Sequence, residues 1–116
     1  MSAAGPWYVT PHAVRRFARY VLGWEGRDED PLPEALYRRA LAEIIRESER
    51  AHFVRRYPQK EGQAEADLWR GPKPRRLRYV VATTLAPGAR LPTLITVLPR
   101  TDARTSEQDQ RRIEPI

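Results

Sequence analysis

The residues of this chain best suited to chemistry are His12, Arg15, Arg16 and Arg19. Their spacing places them on one face of a helix, which turns once in about 3.6 residues. That face would hold three guanidinium groups and an imidazole, with no carboxylate on it to neutralise them. Arginine offers planar, bidentate contacts to phosphate oxygens. An imidazole at a helix N-terminus sits where the dipole disfavours its own positive charge and favours a bound anion. A neutral imidazole beside phosphate can act as an acid or a base. Weighed against this is a plain solvated face, since charged residues usually meet water.

The element that must carry these residues has clear punctuation. Thr10 is suited to cap a helix, because its hydroxyl can accept from a first-turn N–H. Pro11 follows at the first helical position, where a missing N–H costs nothing. Gly23 suits the left-handed residue that ends a helix. Val14, Phe17, Ala18 and Val21 fall on the face opposite the charges, with Leu22 at its edge. The pattern predicts a helix over 11–22.

The rest of the chain reads as follows. Trp7 to Thr10 has strand composition, and Trp7 is expected in the core or at its edge. Residues 24–33 form a connection carrying the acidic run Asp28-Glu29-Asp30, read as solvated loop and helix N-terminal charge. A second, longer helix is predicted over 33–56. Tyr37, Ala40, Leu41, Ile44, Ile45 and Ser48 mark its buried face, and Glu43, Arg46, Glu47 and Arg50 its wet one. His52, near the buried stripe, is expected to be packed and hydrogen-bonded. Residues 58–64 read as a loop, 66–70 as a strand, and Gly71-Pro72-Lys73-Pro74 as a turn. Leu77 to Leu85 is the best strand of the chain, rich in β-branched and aromatic residues. Leu91 to Leu98 is the last strand, pairing with it as a hairpin. Residues 101–116 are polar, with little to bury before Ile113 and Ile116, and are expected to be a flexible tail.

Two helices ahead of a run of strands predict an α+β domain over 1–100. A short N-terminal strand and both helices would pack on an antiparallel sheet of about three to four strands. The chain has 116 residues, enough for one core without metal or disulfide, and it has no cysteine. Consecutive acids at 28–30 point in different directions, and there is no nucleotide-binding glycine loop. No metal and no cofactor is therefore expected. No leader and no membrane span is apparent, so a soluble cytoplasmic protein is expected. The net charge of +6 and pI near 10.3 favour nucleic acid or an acidic protein surface as partner. Arginine supplies nearly all of the positive charge, the only lysines being Lys60 and Lys73.

The order strand, helix, helix, strands resembles the RelE/ParE-like toxin fold, a group of small ribonuclease-like proteins. The motifs Val9-Thr10-Pro11-His12-Ala13, the arginines at 15, 16 and 19, and Ile95-Thr96-Val97-Leu98 look like those of a set of small phage and mobile-element proteins. The resemblance reaches to about Pro99. It implies an RNA-directed activity, often ribosome-associated mRNA cleavage without a metal, and an antitoxin as a further partner. Such cleavage needs a base, a general acid and cations on the developing phosphorane charge. His12, Arg16 and Arg19 are the candidate catalytic residues. Arg15, Arg70, Lys73, Arg75, Arg76 and Arg78 are the candidates for contact with nucleic acid or a partner, and Tyr79 or Tyr57 for a second proton group. Two functions stay open: a toxin-like endoribonuclease acting on RNA or the ribosome, and a non-catalytic phage-type factor that inhibits a host nucleic-acid machine such as RNA polymerase.

Overall fold

The computed structural model describes residues 2–4, 6–59, 61–63, 65–85 and 87–99. The expected tail, 101–116, lies outside the described residues. The elements are β1 (Ser2–Ala4), β2 (Trp7–Val9), α1 (Pro11–Val21), α2 (Glu34–Ser48), β3 (His52–Tyr57), β4 (Ala66–Arg70), β5 (Arg78–Ala82) and β6 (Thr93–Leu98). All strands join one sheet in the order β1-β2-β6-β5-β4-β3. The expected α+β architecture holds, but the sheet is larger than three to four strands: five run from β2 onward, and the three-residue β1 adds a sixth. It is also mixed, because β2 lies parallel to β6 while the other pairs are antiparallel.

Helix α1 forms as its punctuation predicts. Thr10 Oγ1 accepts a hydrogen bond from the Ala13 N–H at 3.1 Å, and Gly23 takes φ +74° just beyond the helix. The Thr10 hydroxyl also donates to the Leu94 carbonyl at 3.1 Å, so the cap ties α1 to β6. Val14, Phe17 and Ala18 are buried together with Ala13.

Helix α2 is shorter than expected. It ends at Ser48, whose hydroxyl turns back onto the Ile45 carbonyl at 2.7 Å. The Arg50 and Ala51 N–H groups close a tight turn onto Glu47 and Ser48. Residues 52–56, expected in the helix, belong to β3 instead. Phe53, Val54 and Tyr57 favour a pleated surface, and cross-strand pairing with β4 overrides the helical continuation. His52 is consequently exposed rather than packed, and a bulge lies between Phe53 and Arg55. Glu47, expected on the wet side of α2, is buried.

Both helices cover one face of the sheet. Trp7, Val9, Phe17, Ile44, Tyr79, Val81, Leu94 and Val97 belong to the core between them. Burying side chains such as Phe17 and Ile44, each fully covered, contributes about 1.5–3 kcal/mol apiece. Alternation along the strands sends Ala66, Leu68 and Val80 to a second cluster, packed by Val54, Tyr57, Ile95 and Leu98. Strand β5 is buried at all five positions: it lies between β4 and β6, with Tyr79 and Val81 in the core under the helices and Val80 in the second cluster.

Candidate functional site

On α1 the predicted stripe exists, but its cations are engaged. The chain reverses after Gly23 and lays residues 26–30 along the helix. Arg16 reaches Asp28 Oδ2 at 2.7 Å and donates to the Tyr20 hydroxyl at 3.0 Å. Arg19 lies 3.0 Å from Asp28 Oδ1 and donates to the Gly26 carbonyl. Arg15 donates through Nε to the Asp30 carbonyl at 2.8 Å. Asp28 is therefore not a plain solvated loop acid: it neutralises the stripe from outside the helix, and the Arg16 hydrogen bond holds its carboxyl below the usual carboxylate range. Spacing along one helix could not show a carboxylate arriving from a later loop.

His12 is half-buried in the first turn of α1. Its Nε2 lies 3.2 Å from Thr96 Oγ1 on β6, across 84 residues of sequence. Burial, followed by the positive charge of Arg16, pushes the imidazole below its ordinary pKa. The motif pieces around residues 12 and 96 are thus neighbours in space. The shift favours the uncharged ring beside that hydroxyl; the three guanidinium groups push in this direction and Asp28 opposes them.

The second cluster divides. Arg75 is taken up inside the fold, bonding Glu43 and lying 2.8 Å from Glu47 Oε2, with its guanidinium 5.7 Å from the centre of the Phe17 ring. Tyr79 is buried and donates its hydroxyl to Glu47 Oε1 at 2.6 Å. Burial, then that carboxylate, drives its pKa well above the ordinary tyrosine value, so it holds its proton. Arg78 is buried on β5 and donates to the Pro99 carbonyl. Arg75 and Arg78 are therefore parts of the fold rather than open phosphate contacts, and Tyr79 is not a proton donor to a substrate. Glu43 and Glu47, one helical turn apart, needed a cation between them; that spacing was the readable signal.

Arg70, Lys73 and Arg76 do come together, joined by Arg50 and His52. With Gly71 and Pro72 they line an open pocket of about 430 Å³ where β3 starts and β4 ends. The sheet register sets His52 directly opposite Arg70. Among the described residues, none of Arg50, Arg70, Lys73 and Arg76 takes part in an ion pair. Arg76 takes φ +47°, in the left-handed region, where a non-glycine residue costs about 1–3 kcal/mol. Its N–H bonds the Pro72 carbonyl, while the Gly71 N–H bonds the Leu77 carbonyl. A side chain at 71 would stand 2.9 Å from the Tyr79 ring, so only glycine lets the loop fold in this closely. Arg50 and His52 escaped the sequence reading because they were placed on a helix. Recognising Phe53, Val54 and Tyr57 as a strand would have set His52 beside Arg70.

Among the described residues no three or more histidine and acidic side chains converge to hold a metal, and no helix is long and apolar enough to cross a membrane. The fold and its charged end define a basic α+β domain with two helices on one face of a mixed sheet. No family model, no curated protein and no solved structure matches the chain.

Proposed function

We propose that this is an RNA-directed protein that holds phosphates at the basic end of its sheet. The observation that carries the reading is the convergence of Arg50, His52, Arg70, Lys73 and Arg76 on one open pocket, with no described carboxylate pairing its arginines or lysine. Unpaired guanidinium groups keep their donors available for bidentate phosphate contacts. The overall charge of +6 adds long-range attraction for a polyanion. The element order read from the sequence resembles that of RelE/ParE-like proteins, and this resemblance is the ground for naming RNA as the polyanion.

The test is binding of a short labelled single-stranded RNA, followed by anisotropy across a salt series. Each phosphate contact on a single strand contributes about 0.7 to the slope of log K against log salt. Arg70→Ala with Arg76→Ala should lower affinity and reduce that slope by about 1.4. Absence of RNA binding, with salt-dependent binding to an acidic protein, would favour the inhibitor of a host nucleic-acid machine instead.

A second reading, metal-independent RNA cleavage at His12, is favoured by one observation: the imidazole lies 3.2 Å from the Thr96 hydroxyl on the helix face that carries Arg15, Arg16 and Arg19. The same RNA, incubated in chelator with and without ribosomes, decides it. Cleavage lost by about 10²–10⁴ in His12→Ala, with melting unchanged, supports catalysis. An uncut RNA leaves binding as the activity.

A further inference from the structure

Beside the basic pocket lies a second one of about 440 Å³, lined by Pro6, Trp7, Ser48, Glu49, Ala51 and Trp69. The two have no lining residue in common, but their linings interleave along the chain. Along 48–52 and 69–71 the chain contributes Glu49, Ala51 and Trp69 to one, and Arg50, His52 and Arg70 to the other. Trp7, Trp69 and Phe53 form an aromatic row, with ring centres 5.7 Å apart for the tryptophans and 5.9 Å for Phe53 with Trp69. The row starts in the core at Trp7 and ends in solvent at Phe53. Phe53 is 54% exposed, the largest exposure among the large apolar side chains of the described residues. Phe53 lies on the edge strand β3 with its ring against Trp69, so it carries the aromatic row out to the solvent side of the pocket.

Resting on the RNA-directed reading, the geometry points to the Trp7–Trp69 pocket, with Phe53 on its flank, as the seat of one unpaired base of a single strand whose phosphates lie on Arg50, His52, Arg70, Lys73 and Arg76. The chemistry of the two pockets divides the labour. Glu49 is the sole charged side chain lining the aromatic pocket and would repel a phosphate, so that pocket suits the uncharged base. The neighbouring pocket, with four cationic side chains and a histidine, suits the backbone. Every base offers a π-face to an aromatic platform, so the seat is tolerant of sequence. A duplex keeps its bases stacked inside and presents none to the row.

Phe53→Ala tests this without touching the core, because the side chain is largely in solvent; Phe53→Tyr keeps a ring. Each is titrated with a labelled single-stranded RNA and with an abasic strand of the same length. Stacking predicts that Phe53→Ala weakens binding to the base-bearing strand by about five- to a hundredfold. The salt slope stays unchanged, Phe53→Tyr restores the affinity, and tryptophan fluorescence is quenched by the base-bearing strand only. The abasic strand binds native protein and Phe53→Ala alike. Equal binding of both strands to native protein, or unchanged affinity in Phe53→Ala, overturns the base seat while leaving the phosphate pocket standing. Binding of neither strand overturns both.

Discussion

His12 carries opposing demands in one side chain. Its place at the start of α1, under cover and near Arg16, makes the protonated ring unfavourable, yet the motif around it is where a phosphate reader would look for an acid. The sign of the resulting pH dependence follows. The folded pKa lies below the unfolded value of about 6.5, so the unfolded chain takes up the proton first as pH falls. His12 adds no pH dependence well above that value. Below it, stability declines until the folded pKa is passed. Melting temperatures measured between about pH 7.5 and pH 5.5 should fall more steeply for native protein than for His12→Asn. Parallel curves would show that the ring titrates as it would in water.

Among the elements, the short span of α2 decides most of the architecture. Its Glu43 and Glu47 hold Arg75, which in turn seats the β4–β5 connection against the helix, while Glu47 also takes the Tyr79 hydroxyl. Arg75→Ala leaves a buried carboxylate short of its cation, and should destabilise by about 1–3 kcal/mol in denaturant titration. Adding Glu47→Gln should recover part of the loss by removing the charge. RNA affinity of the folded variant should stay at the native level, which separates Arg75 from Arg70 and Arg76. This cluster also shows how far the sequence could be read. Helix α1, its cap, its buried face, and strands β2, β4, β5 and β6 were legible because local signals and burial agree there. β3 was not, since Ala51, His52 and Phe53 prolong the helical pattern and only pairing with β4 decides against it. The candidate site was legible in half: Arg70, Lys73 and Arg76 lie close in sequence around one turn. The fates of Arg75 and Arg16 depended on carboxylates brought by other elements, and no spacing rule reports those.

For the whole molecule, the parallel pairing of β2 with β6 sets an order of events during synthesis. The first strand of the core waits for the last. Tyr8 pairs with Thr93 and Val9 with Leu94, and the Thr10 cap closes on a carbonyl 84 residues away. At about 5–20 residues per second, a ribosome leaves Trp7, Val9 and the apolar face of α1 without their sheet partner for on the order of 10 s. The arginines of α1 then act before any ligand is present, keeping that amphipathic helix charged on one side while its other side is still bare. A fragment ending at Pro92 should show no cooperative melting transition, and extending it through Pro99 should restore one; a fragment that melts cooperatively without β6 would mean that the remaining strands close a core by themselves. The seam between β2 and β6 is thus the last part of the sheet that synthesis can close, and the N-terminal motif gains its sheet partner only when β6 arrives.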